Sequence, residues 1–261
     1  MSNIFSIGYN LFIKWPRRVF RLILLIGHLL VGILLSFIIF SPLVHSKLSK
    51  HWHQRIVGGW SRILCRICGL QVRYYGDITQ APALFVANHI SWLDIFALLG
   101  TFQVFFLSKQ EIQNWPILGW LVERVGTLFI RRGEFGASKQ VSNVISEALC
   151  KNSNVLFFPE GTSTDGTSVR RFHARLFQAA IDTGVLVQPI ALRYRQGENI
   201  SLIIPYIGND TLLGNLWRVL GETGLRVEIW FCPPISAHEK KRRDLSDYAQ
   251  AQVLKVIMKD E

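Results

Sequence analysis

The segment from Leu22 to Phe40, LILLIGHLLVGILLSFIIF, runs nineteen residues without a formal charge when His28 is neutral. It falls within the roughly 17–25 residues that a helix needs to enter or cross a bilayer, so the front of the chain is committed to a membrane. Lys14, Arg17, Arg18 and Arg21 precede it, and Pro42, Lys47 and Lys50 follow. A cleaved secretory signal fits less well, because the apolar run is long and no small-residue cleavage site follows. A buried core helix is the other alternative. Cations on both flanks leave the orientation open. The next segment, Lys47 to Leu70, carries Trp52, Ile56, Trp60, Ile63, Leu64 and Ile67 at helical spacing, interleaved with Lys50, Arg55, Arg62 and Arg66. Such a helix either lies in the headgroup zone, with its arginines on phosphates, or packs on its own domain.

The charge balance needs a partner of opposite sign. Lys and Arg number 29 against 18 Asp and Glu, a formal charge of +11. That suits nucleic acid or an anionic membrane surface. The apolar front and a mean hydropathy of +0.25 decide for the membrane, and no nucleic acid partner is expected. Cys65 and Cys68 form a lone C-x-x-C, with Cys150 and Cys232 far away. Without a second pair they read as packing residues, and no metal site is expected.

Past Leu70 short apolar runs alternate with helical stretches. Strands are expected at Val72–Tyr75, Ala83–Ala87, Val104–Leu107, Thr127–Ile130, Val155–Phe158, Val187–Arg193, Ser201–Ile204 and Arg226–Phe231. Helices are expected at Leu93–Leu99, Pro116–Arg124, Gly136–Cys150, Arg171–Thr183, Leu212–Leu220 and Leu245–Lys259. This alternation predicts an α/β fold, a mixed and mostly parallel sheet flanked by helices, preceded by a membrane-embedded helical pair. Residues 1–70 form the membrane-associated part and residues 71–261 one α/β domain. The run Lys240 to Arg243 reads as a solvated turn, with anionic lipid contact as the alternative.

Three segments carry groups that can do chemistry. His89 follows the strand Ala83–Ala87 and precedes a helix, at the kind of strand end where α/β active sites gather. Asp94, five residues on, can fold back onto the imidazole, hold the proton on one ring nitrogen and leave the other as a base. The bland alternative is a capping box, Ser91-x-x-Asp94, beside a loop histidine. In the second segment Pro159-Glu160-Gly161-Thr162 turns directly after a strand, offering a carboxylate, a hydroxyl and a glycine that permits close approach. The third, Gly126 to Gly133, is a strand ending in Arg131 and Arg132, whose planar forks suit phosphate or carboxylate. For the second and third segments, a plain surface turn and solvated charge are the alternatives.

Taken in order, these segments resemble the lysophosphatidate acyltransferase (PlsC-type) family of glycerolipid acyltransferases. The N-H-x-x-x-x-D motif is met by Asn88, His89 and Asp94, and G-x-x-F-I-x-R by Gly126, Phe129, Ile130 and Arg131, with an extra Arg132. F-P-E-G-T is met by Phe158 to Thr162, and the short V-P-[IV] motif in part by Gln188, Pro189 and Ile190. A connector beginning at Lys109 and Glu111 and passing Trp115, Pro116 and Gly119 is similar too. The likeness spans roughly Val72 to Ile235.

The resemblance implies a membrane-bound acyltransferase at the cytoplasmic face of the inner membrane. It would move an acyl chain from acyl-CoA or acyl-carrier protein to the hydroxyl of 1-acylglycerol-3-phosphate, giving phosphatidate. His89, oriented by Asp94, would be the base. Arg131, Glu160, Gly161 and Thr162 would bind the lysolipid acceptor, with Asn88, Arg132, Lys109 and Pro189 as secondary candidates. No cofactor is implied, since base-promoted attack on a thioester needs none. An oxyanion donor is required and is not placed by the sequence. One departure stands out: family members acting on lysophosphatidate often continue F-P-E-G-T-R, whereas Ser163 follows Thr162 here. That resembles the subgroup containing lyso-ornithine lipid acyltransferases, so another lysolipid is the alternative acceptor. A non-catalytic, basic membrane-binding protein is the alternative of a different class.

Overall fold

The computed structural model describes residues 10–39, 50–109, 127–130 and 137–260. Its first long element, α1 (Trp15–Ile39), follows a π-helical turn at Asn10–Lys14 and pairs with α2 (Lys50–Ile67). The α/β part runs β1 (Leu70–Tyr75), β2 (Ala83–Ala87), α3 (Leu93–Thr101), β3 (Phe105–Lys109), β4 (Thr127–Ile130), α4 (Ala137–Cys150) and β5 (Val155–Phe157). It continues through a 3-10 turn at Ala174–Phe177 into α5 (Gln178–Thr183), then β6 (Leu186–Gln196), β7 (Asn199–Ile200) and α6 (Leu212–Gly221). Last come β8 (Leu225–Phe231), β9 (Ile235–Ser236) and α7 (Arg242–Ile257).

The strands form one mixed sheet in the order β1-β8-β6-β2-β5-β3-β4, with β7 and β9 pairing onto β6. Contacts among β6, β2, β5, β3 and β4 are parallel; β8 runs antiparallel to β6, and β1 parallel to β8. The sheet is therefore mixed and mostly parallel, as expected. The carboxyl ends of β2, β5, β3 and β4 share one edge, which brings His89, Glu160 and the end of β4 together.

Both faces of the sheet are covered, which is why its central strands are apolar throughout rather than alternating. Phe85 and Ala87 face the side of α1, α2, α3 and α6; Leu84 and Val86 face the side of α4, α5 and α7. Pro189 is buried inside β6, where it lacks a donor for the ladder. It sits where the antiparallel partner of β6 changes from β9, paired up to Val187, to β8, paired from Ile190, so the missing N–H costs nothing there.

Three elements differ from expectation. Ser201–Ile204 is not a strand; only Asn199–Ile200 pairs, and Ser201 turns back to donate its N–H to the Tyr194 carbonyl at 2.9 Å. The helix expected from Arg171 begins only as a 3-10 turn at Ala174 and becomes α-helical at Gln178; His173 before it is extended and donates its N–H to the Pro159 carbonyl at 2.9 Å. Arg242 and Arg243 belong to the first turn of α7 rather than to the turn before it. The helix expected at Pro116–Arg124 lies outside the described residues, as do Arg131 and Arg132.

Within α1, Phe12–Phe37 is the one stretch among the described residues long and apolar enough to cross a membrane. Phe20, Ile23, Leu30, Leu34 and Phe37 on it are exposed, which does not fit a buried core helix. Its basic flank is engaged with the domain. Arg17 donates to the Gly221 carbonyl at 2.8 Å, and Arg21 to the carbonyls of Leu220 and Glu222 at 3.1 and 2.6 Å. These are end-of-helix carbonyls of α6 and its cap, where cations are favoured. On α2, Leu64, Cys65 and Cys68 are buried against the domain, whereas Trp52, Arg55 and Ile63 face outward. Burial pushes the Cys65 and Cys68 thiols up to about 12, so both stay protonated packing groups.

A buried charge cluster ties β6 to β8. Arg193 lies directly opposite Glu228 and donates to it through Nε at 2.9 Å; Arg195 and Arg226 approach the same carboxylate at 3.4 and 3.3 Å. Burial alone would raise the Glu228 carboxyl, but the bond from Arg193 and the three positive charges outweigh it and hold it below its ordinary value. Glu228→Ala leaves three guanidinium groups together, and is expected to destabilise the fold by about 3–5 kcal/mol in a denaturant titration at neutral pH. A depressed carboxyl contributes stability above its unfolded pKa, here 4.5, and loses it as pH falls through the folded value. The gap between variant and parent should therefore close in acid.

Candidate active site

The site is assembled where β2 and β5 end side by side. After Ala87, the last residue of β2, Asn88 stops being a strand residue but keeps the strand's pairing. Its side chain donates to the Leu192 carbonyl at 2.9 Å and accepts the Leu192 N–H at 2.7 Å. This amide substitutes for a main-chain partner on β6, so the chain can leave the sheet while Asn88 stays fully buried.

His89 is then held at every hand. Its N–H donates to Oε1 of Glu160 at 2.8 Å, and its carbonyl accepts from the Thr164 N–H at 2.8 Å and the Thr164 hydroxyl at 3.2 Å. The imidazole stacks on Phe158 with ring centroids 4.1 Å apart. Nδ1 lies 2.7 Å from Oδ2 of Asp94, and the His89 side chain is 23% exposed. Opposite an ionised Asp94 the Nδ1 position carries the proton, which leaves the Nε2 lone pair free to accept one.

Asp94 is 0% exposed and is met by four donors. Oδ2 accepts from His89 Nδ1 and from the N–H groups of Ile90 and Ser91 at 2.8 and 3.0 Å. Oδ1 accepts from the Tyr194 hydroxyl at 2.7 Å. The bond to the Ser91 N–H is the only part of the expected capping box that forms: the helix caps at Trp92 without a side-chain bond, and the Asp94 N–H goes to the Ser91 carbonyl rather than its hydroxyl, so Asp94 serves mainly the histidine and its turn. Tyr194 was not legible as a site residue: it lies on β6 between Arg193 and Arg195, a hundred residues from Asp94 and in no motif. It is 2% exposed, and first burial and then the Asp94 charge push its hydroxyl well above the ordinary phenol value, so it remains a donor.

On the neighbouring loop Glu160 is 4% exposed and each of its oxygens accepts one main-chain N–H, from His89 and from Arg170 at 2.9 Å. Burial raises its carboxyl above the ordinary range, against the pull of those two N–H groups. Glu160 thus braces the two loops, while Gly161 and Thr162 beside it are exposed. Gly161 has φ +74°, and a Cβ there would meet His173 only at an ordinary 3.6 Å, so conformation rather than space requires glycine. The Ser163 hydroxyl donates to the Tyr206 carbonyl, and the Tyr206 N–H donates to the Ile90 carbonyl at 2.9 Å. A third loop therefore straps the other two.

The remaining expected residues lie as follows. The Lys109 backbone ends β3 opposite Ile130, the last residue of β4, on the same edge as His89; its side chain, like Arg131 and Arg132, is outside the described residues. Pro189 lies within the sheet, two residues below the edge on β6.

The comparisons agree with this architecture. A family model described as Acyltransferase matches residues 70–193. A lyso-ornithine lipid O-acyltransferase of Pseudomonas aeruginosa is 43% identical over 201 residues, covering 77% of each chain. A 1-acyl-sn-glycerol-3-phosphate acyltransferase of Neisseria gonorrhoeae is 35% identical over 193 residues, covering 74% of this chain and 76% of the relative. In fold the chain is similar to the crystal structure of the LPA acyltransferase PlsC from Thermotoga maritima, with a TM-score of 0.61 at 19% identity, covering 92% of this chain and 98% of that one. The chain belongs to the acyltransferase family. Within it, the order and spacing of the motifs around His89 and Glu160 are of the PlsC type.

Because Glu160 offers acceptors only, Glu160→Gln places an amide NH2 against a main-chain N–H and breaks one of the two braces. We expect acyltransfer to fall about tenfold, the scale of one buried polar group left unpaired, with more of the loss in kcat than in KM in steady-state assays.

Proposed function

We propose that this enzyme transfers an acyl chain from a thioester, acyl-CoA or acyl-carrier protein, to the free hydroxyl of a lysolipid. The observation that carries the reading is the buried Asp94 bonded to Nδ1 of a partly exposed His89, which presents Nε2 as a base at a sheet edge. Nε2 takes the proton from the lysolipid hydroxyl as its oxygen attacks the thioester carbonyl carbon. The tetrahedral intermediate then collapses, the C–S bond breaks, and the leaving sulfur recovers the proton from Nε2. The sum is an ester and a free thiol, with no enzyme nucleophile and no cofactor in the cycle. Gly161 and Thr162 line the acceptor side, and Arg131, the next residue in sequence after β4, binds the acceptor's anionic group. The exposed apolar face of α1 enters the cytoplasmic leaflet of the inner membrane and brings the site to its lipid substrate.

The first acceptor to consider is 1-acylglycerol-3-phosphate, the substrate named for the Neisseria relative. A second acceptor, lyso-ornithine lipid, is favoured by two observations. Ser163 stands where a further cation would meet a phosphate, and its hydroxyl is spent on the Tyr206 carbonyl. The Pseudomonas relative at 43% identity bears that acceptor in its name.

An acceptor panel with purified protein separates the two by product: phosphatidate from one, diacylated ornithine lipid from the other. His89→Ala should reduce acceptor-dependent thiol release at least about a hundredfold, the lower range for a general base. Retention of rate in that variant would remove the reading altogether. Arg131→Ala should mainly raise the acceptor KM, as loss of a ground-state contact does.

A further inference from the structure

Asp94 has one oxygen turned to His89 and one turned away from it, and the second is not left to solvent. Oδ1 points into the core, where the Tyr194 hydroxyl meets it at 2.7 Å. Tyr194 comes from β6, two residues past the Leu192 that Asn88 pairs with, so the strand that fixes the end of β2 also fixes the far side of the carboxylate. A simple core tyrosine would serve as well with its hydroxyl on any carbonyl; this one is spent on the group that orients the base.

We propose that Tyr194 is a positioning residue of the proposed acyltransferase, acting through Asp94 on His89. It rests on the reading of His89 as general base and concerns what keeps that base usable. With Oδ1 bonded, the carboxylate cannot rotate to share its second oxygen with the imidazole, so Nε2 keeps one direction. The phenol also draws charge from the carboxylate. A carboxylate that has given part of its charge to a donor attracts a proton on the imidazole less, so removing that donor should show in the pH dependence of the rate. Among the described residues two further titratable groups bear on the dyad and Tyr194. Glu160 faces His89 from the β5 loop, and the Cys65 thiol of α2 faces Tyr194 and is held protonated by burial. Tyr194→Phe touches neither.

The test is the pH profile of kcat/KM. Tyr194→Phe keeps the ring and its packing while leaving Oδ1 without its donor. We expect kcat at neutral pH to fall about tenfold, KM for donor and acceptor to change less than about threefold, and the acid limb to move toward higher pH. Replacing Tyr194 with 3-fluorotyrosine, a more acidic phenol and stronger donor, should restore kcat and move the acid limb below that of the parent. A purely structural tyrosine would lose stability without displacing the limb or following phenol acidity. An unshifted limb in both variants, or equal limbs with a raised KM, overturns the proposal. If Tyr194→Phe does not fold, the fluorotyrosine protein alone decides by the direction of its limb. Failure here leaves the His89→Ala result intact; loss of acyltransfer dependence on His89 would instead remove the function on which the proposal stands.

Discussion

A carboxylate taken fully out of water must be surrounded by donors, or it will be protonated or will destroy the fold. Asp94 meets this requirement with groups from two separate parts of the chain: the imidazole and main-chain amides of the turn after β2, and a phenol from β6. Each donor is useful only if its own element is in register. Asn88 fixes the turn to β6, Glu160 fixes it to the β5 loop, and Thr164 closes it from the other side. The order of strands around β2 is thus reflected at a single side chain.

Much of this was legible because periodicity and motif spacing are local. The central strands announce themselves as short apolar runs, since both faces of the sheet are covered, and His89 and Glu160 follow two of those runs directly. Where the reading went astray, the deciding contact was distant. Ser201 to Ile204 has strand composition, yet Ser201 is drawn back to Tyr194 and the segment becomes a strap. The stretch from Arg171 is helical in composition, but the chain around its start is held to the β5 loop, Arg170 by Glu160 and His173 by the Pro159 carbonyl. Tyr194, between Arg193 and Arg195, carries no signal of its own in the sequence, because what marks it is a partner a hundred residues away.

The front of the chain makes a related point. Lys14, Arg17 and Arg21 read as the basic flank of a membrane helix, and a flank of that kind needs no protein partner. In the structure they reach the end of α6 and Glu222, while His28 and Trp60 stack at 4.6 Å between α1 and α2. The apolar helix is bonded into the domain it precedes, so the distance from its apolar face to the site is set by packing rather than by a flexible tether.

The bracing of His89 is made largely through main-chain atoms, its own N–H and carbonyl and the N–H groups of Ile90 and Ser91. Thr162 and Arg170 are exposed on the same loops, and their side chains carry none of that load. On the function proposed above, chemistry and headgroup choice would be written in different atoms of one segment. A lineage could then exchange the outward side chains, and with them the lipid it acylates, without re-inventing its base. Relatives named for a phosphate-headed and for an ornithine-headed acceptor around one scaffold are what such a division of labour would leave behind.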